Sequence, residues 1–160
     1  MALGDNTLRS AAGNSQRGRN PYMVQTTLNW ATALSDKGSA LAAADVVPVI
    51  AVPKGTMILN AGIEVDTATD GSTFTVDLGT GVDPDVFVDG FDATSAAAVV
   101  AQNPAAYQPV MAVADDNIDV TIASLSGGAV TSGKFRVWAV MMDCTDMGDM
   151  AANEVARDNA

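Results

Sequence analysis

The sequence predicts an all-β protein: an antiparallel β-sandwich, jelly-roll-like in topology, preceded by an extended N-terminal arm. Three observations carry that prediction. Apolar residues recur with period two in several short runs, each bounded by clusters of Gly, Pro, Asn, Asp and Ser. No long amphipathic helical stretch interrupts those runs. Apolar residues make up 48% of the chain, mostly Ala and Val, while only 5% are aromatic. That composition suits thin sheets packed face to face better than a large aromatic-lined pocket. The 160 residues suit one domain with a substantial core. We divide them into an arm over 1–21, a sandwich over 22–145 and a polar tail over 146–160.

The arm scatters Gly4, Asn6, Ser10, Gly13, Asn14, Ser15, Gly18, Asn20 and Pro21 among few large apolar groups. It cannot bury enough surface by itself to offset the entropy of ordering. It is therefore either a free terminus or a segment ordered by a neighbouring subunit. Arg9, Arg17 and Arg19, opposed only by Asp5, make it basic and are candidates for docking on an acidic partner.

Strands follow from Tyr22. Met23–Trp30 alternates, with Val24, Thr26 and Leu28 opposed to Gln25, Thr27 and Asn29. Asp36-Lys37-Gly38-Ser39 marks a turn, and Leu41–Ala44 is expected to begin a short helix. Val46–Val52 is a β-branched run confined by Pro48 to a sheet edge or an extended connection. Pro53-Lys54-Gly55-Thr56 turns the chain. In Met57–Thr67, Ile63, Val65 and Thr67 oppose Glu64 and Asp66; after Asp70-Gly71-Ser72, Phe74, Val76 and Leu78 oppose Thr75 and Asp77. Two such runs around Asp-Gly predict a β-hairpin with one wet face. Gly79-Thr80-Gly81 opens a loop, and Asp83-Pro84-Asp85 turns the chain into Val86-Phe87-Val88. Thr94–Gln102, Ala-rich and preceded by Asp92, predicts a short helix ended by Asn103-Pro104. Ile118, Val120 and Ile122 alternate in the next strand. In the last, Lys134–Met142, Phe135, Val137, Ala139 and Met141 share a face. The tail after Asp143 holds a further expected helix over Met150–Arg157.

Net charge is −11, and the interval between Lys54 and Lys134 contains carboxylates with no counter-charge. A body of that sign repels phosphate, so no nucleic-acid partner is expected. No run is long enough to span a bilayer, so no membrane partner is expected. The start of the chain has no positive, apolar secretory pattern, which implies synthesis in the cytoplasm. The chain has no histidine, which removes Ser-His-Asp and Cys-His activation and imidazole metal ligands. Lys37, Lys54 and Lys134 sit in turns or at strand ends, and no P-loop or GxGxxG occurs. Asp83, Asp85, Asp89 and Asp92 could hold calcium, but Phe87 and Val88 break the EF-hand pattern. Asp side chains capping a solvated loop explain the cluster equally. Glu64 and Asp66 alternate as wet-face acids do, without the aromatics of a sugar cleft. We therefore expect no enzyme, no cofactor and no metal. Cys144 is a lone cysteine, expected to be buried as a small apolar residue. Trp138 shares its strand face with Arg136, Val140 and Met142, a face that needs covering by a second layer or a subunit. Tyr22, Trp30 and Trp138 are the candidate subunit-interface residues.

One stretch has a recognisable form: Pro53-Lys54-Gly55 with Ile58-Leu59, then Glu64-Val65-Asp66-Thr67 and Asp70-Gly71-Ser72, then Val76-Asp77-Leu78-Gly79-Thr80-Gly81, Asp83-Pro84-Asp85 and Phe87. It resembles small structural proteins encoded among the virion genes of tailed bacteriophages. The resemblance runs from about Val46 to Phe91, extends loosely to Lys134–Met142, and leaves the arm unmatched. It implies a β-sandwich virion protein, a capsid decoration or cement protein on the outer shell. The implied partners are the major capsid protein and further copies of the chain, as a trimer. A tail, neck or fibre component is one alternative, and a calcium- or glycan-binding module using Asp83, Asp85, Asp89 and Asp92 is another. The resemblance implies no catalytic residues.

Overall fold

The computed structural model describes residues 20–96, 99–101 and 109–144, with backbone alone for 99–101. Arg9, Arg17 and Arg19, the Asn103-Pro104 stop and the expected Met150–Arg157 helix lie outside the described residues. Nine strands and one helix are described: β1 Tyr22–Asn29, α1 Trp30–Lys37, β2 Val46–Val52, β3 Thr56–Thr67, β4 Thr73–Thr80, β5 Val88–Asp92, β6 Val99–Ala101, β7 Val110–Met111, β8 Asp116–Ser126 and β9 Lys134–Asp143.

The strands form two antiparallel sheets. One has the order β1-β9-β3-β6, with β7 also paired to β3; the other is β2-β8-β4-β5. The chain behaves as one long ribbon doubled back at β4–β5. β4 pairs with β5, β3 with β6, β2 with β8 and β1 with β9. Wrapping that ribbon lays β9 against β3 and β8 against β4, which is the winding of a jelly roll.

Alternation decides which side chains the two sheets share. Phe135, Val137, Ala139 and Met141 of β9 point inward, as do Ile118, Val120 and Ile122 of β8. Ile58 and Ala61 are both buried although their parity differs, because a bulge between Ile58 and Asn60 shifts the register of β3. Each Val, Ile, Phe or Met among them contributes roughly 1.5–3 kcal/mol on burial. Pro48 lies in β2, an edge strand, beside a register shift that accommodates it.

Four local expectations are corrected. The strand from Met23 stops at Asn29, whose side-chain oxygen accepts the Ala31 N–H at 3.0 Å and starts a helix from Trp30. Gly38, with φ +69°, ends that helix, whereas Leu41–Ala44 forms a turn held by the Asp45 carboxylate. The segment around Asp70-Gly71 is no hairpin: β3 and β4 belong to opposite sheets. A two-residue hairpin turn of type I′ requires positive φ at both positions, and Gly71 is not among the positive-φ glycines. Asp70 instead ties the crossing to the β8–β9 connection, accepting from Thr131 N (2.8 Å), Thr131 Oγ1 (2.5 Å) and Ser132 N (3.1 Å). The inward residues of β3 and β4 therefore meet across the core instead of lying side by side. Finally, Val99–Ala101 pairs with β3 as a strand where a helix was expected. Asp92 does accept from Thr94 N (2.9 Å), but this cap begins a bend, not a helix.

Candidate interaction surfaces

One end of the sandwich carries an apolar cleft of about 530 Å³. Its floor is Val52 and Ile58, where β2 ends and β3 begins, and both are buried. One wall is the loop after β4. There Thr80 N donates to the Asp83 carbonyl at 2.8 Å, and Asp83 N donates to Thr80 Oγ1 at 3.3 Å. These reciprocal bonds close the loop tightly and leave Val82 at its tip, 89% exposed. Gly79 makes the fold-back possible, since a Cβ there would stand 2.2 Å from the Asp83 carbonyl oxygen. The other wall runs from Val110 to Asn117 and presents Val113, 79% exposed.

Carboxylates rim this cleft. Asp115 accepts the Lys54 N–H at 2.9 Å, and Asp116 accepts the Gly81 N–H at 3.3 Å, so both brace the walls. The Asp83 carboxyl is raised above its ordinary value by a hydrogen bond to Asp85, by partial desolvation and by the charge of that neighbour. The described ion pairs are elsewhere: Lys37 with Asp45 at 2.5 Å and Arg136 with Glu64 at 2.6 Å. The cleft thus offers apolar contact inside and, at its lip, carboxylates that take part in no described ion pair. That combination suits a segment pairing an apolar side chain with a cation.

The second surface is the outer face of the β1-β9-β3 sheet. Register places Gln25, Trp138 and Gly62 in one row, Met23, Val140 and Asn60 in the next, and Thr27, Arg136 and Glu64 on the other side. Trp138 is half-buried there. The second sheet packs on the opposite face, so it is not the layer that covers Trp138. Met23, 62% exposed, extends the apolar strip toward the β1 edge.

The predicted site residues separate. Tyr22 is exposed at the start of β1. Trp30 is corrected as an interface candidate. It is 0% exposed, with its ring edge-on to Phe74 at 4.9 Å and to Phe135 at 5.4 Å. The helix start turns it under the sandwich, leaving it no surface for a partner. Cys144 is half-buried rather than buried, at the end of β9. Glu64 is tied to Arg136 and Asp92 to Thr94. Among the described residues, no three acidic or cysteine groups converge as a metal-ligand set. Sequence reasoning missed the cleft. Its signal was the pair Val82 and Val113, apolar residues set in turns otherwise made of Gly, Ala and Asp.

Comparison with known proteins gives structural likeness alone. No family model matches the sequence, and no curated protein does. Among solved structures, the chain is similar to one in the cyanophage Pam1 capsid asymmetric unit, at TM-score 0.61 and 16% identity, over 88% of this chain and 97% of that one. It is similar to a chain in the capsid of Ralstonia phage GP4, at TM-score 0.57 and 16% identity, over 82% and 89%. A third is in the acid-stable capsid of Helicobacter pylori bacteriophage KHP30, at TM-score 0.55 and 12% identity, over 79% and 90%. At these identities the shared property is the fold: an antiparallel jelly-roll sandwich that accounts for nearly the whole of each matched chain.

Proposed function

We propose that the chain is a virion structural protein of a tailed bacteriophage, a decoration or cement protein that binds the outer capsid surface and reinforces contacts between major capsid subunits. The observation that carries this reading is the match of one small sandwich to nearly entire chains from three phage capsid structures. The motif resemblance over Val46–Phe91 supports it independently. On this reading the protein is not an enzyme and its work is adhesion. The acidic sandwich of residues 22–145 lies on the shell as a homo-oligomer, a trimer, and the arm of residues 1–21 reaches across capsid subunits. Tyr22 and Trp138 are the interface candidates that keep exposed surface.

The test is binding of the purified chain to capsids stripped of it. Co-sedimentation at hundreds of copies per particle, with raised resistance of the shell to heat, is the expected result. Copies counted in tens at one vertex would instead place it in the tail, neck or fibre. Failure to bind any part of the particle would end the virion reading. Removal of residues 1–21 is expected to leave a folded chain that no longer holds the shell.

A further inference from the structure

The cleft opens at the end of the sandwich where the chain enters it. Tyr22, the first residue of β1, stands opposite Met141, and Thr56 at the start of β3 stands opposite Asp143. Ile58 on the cleft floor also stands opposite Met141, in the same row as Tyr22 and two strands from it. Asn20 precedes Pro21, a position that favours extended backbone. Extended backbone at Asn20 continues the direction of β1.

Charge selects what could fill the cleft. Residues 1–19 hold Arg9, Arg17 and Arg19 against Asp5, so the rest of the chain carries −13 of formal charge where the whole carries −11. Two such bodies repel each other. The segment after Cys144 leaves from the same end but sets Asp146, Asp149, Glu154 and Asp158 against Arg157, the wrong sign for an acidic rim. The arm also supplies the apolar component, in Leu3 and Leu8. Extended, residues 1–19 reach roughly 60 Å, more than the body diameter of about 35 Å expected at this size.

We propose that residues 1–19 of one copy dock in the acid-rimmed cleft of a second copy, a leucine lying between Val82 and Val113 and the arginines meeting Asp83, Asp115 and Asp116. This goes beyond the shell-binding reading, because it concerns contacts between copies and is tested without any capsid.

The experiment is a charge swap in the full-length chain, read by sedimentation velocity across a concentration series. One variant reverses the arm (R9E/R17E/R19E), and the other reverses the rim (D83K/D115K/D116K). The wild-type chain self-associates, and the association weakens with added salt. Each variant alone associates about tenfold or more weakly. An equimolar mixture restores association, because each arm then meets a rim of opposite sign on the other variant. Undiminished association of either variant alone overturns the proposal, as does a mixture that stays dissociated. A wild-type chain that is monomeric at every concentration also overturns it, and would leave the cleft to the chain's own arm. Should the lysine variant fail to fold by circular dichroism, the arm variant and the salt series decide. Association indifferent to both overturns the docking.

Discussion

Replacing Trp30 by alanine separates a core residue from an interface residue. Trp30 is fully buried and stacks edge-to-face on Phe74 and Phe135. Truncation removes the transfer free energy of the indole and leaves a cavity between the sheets, together costing about 3–5 kcal/mol. The two ring contacts account for about 0.5–1.5 kcal/mol each within that sum. Against a total stability of about 5–15 kcal/mol the loss is large, and it lowers the melting temperature by roughly 10 °C or more. Urea unfolding followed by far-UV circular dichroism measures it, with Trp138 as the remaining indole reporter. Trp30→Phe is the control. It keeps a ring against Phe74 and Phe135 and removes an indole N–H that has no hydrogen-bond partner in its buried site, so its cost is well below that of alanine. A Trp30→Ala chain within about 1 kcal/mol of the wild type, with a changed oligomeric state, would refute the core assignment and return Trp30 to a subunit contact.

Three further outcomes follow from the structure. The Asp70 carboxylate is held at a pKa of about 2 by its hydrogen bonds to Thr131, side chain first, and to the Ser132 N–H. Its folded pKa is depressed, so its stabilising effect is present above the ordinary value of 3.8 and is lost as pH falls toward 2. The stability gap between wild type and Asp70→Ala, measured by urea titration, is therefore constant at neutral pH and closes below pH 3.8. Asp77 shows the opposite sign. Burial pushes its pKa up while it accepts the Gly90 N–H at 2.7 Å. Asp77→Asn keeps an acceptor and removes the charge, so it stabilises at pH 7 and the gain vanishes below 3.8; equal melting temperatures at pH 7 would contradict this. Gly79→Ala sets a Cβ against the backbone of Asp83 and Pro84. It destabilises by about 3 kcal/mol or displaces the Val82 loop, which a melting curve and the amide spectrum of the cleft residues detect.

Much of the fold is legible in the residues because period-two alternation is a local property. Phe135, Val137, Ala139 and Met141 had to share one face of any strand that contains them, and they line the core. Pro48 likewise restricted its strand to an edge, since proline donates nothing to a ladder. The failures occur where a local signal is compatible with two partners. Asp70-Gly71 suits a hairpin or a crossing between sheets, and the choice lay with Thr131 and Ser132, some sixty residues later in the chain. The alanines before Val99 suggested a helix, but pairing with Gly62, Ile63 and Glu64 made the segment a strand, tertiary context overriding a weak propensity. The cleft was illegible for the same reason: Val52, Ile58, Val82 and Val113 come from four separate segments.

By itself, then, the amino-acid order determined the class of the fold, the inward faces of its strands, the acidic body and the basic arm, and a chemistry without imidazole. All of these depend on residues near one another along the chain or on composition. The tertiary structure alone decided that β3 and β4 part into opposite sheets, that Trp30 belongs to the core, and that two exposed valines and a carboxylate rim share one cleft. Those outcomes depend on which distant strands pair when the ribbon wraps upon itself. That choice is made by the burial of all the inward faces together, and no single segment encodes it.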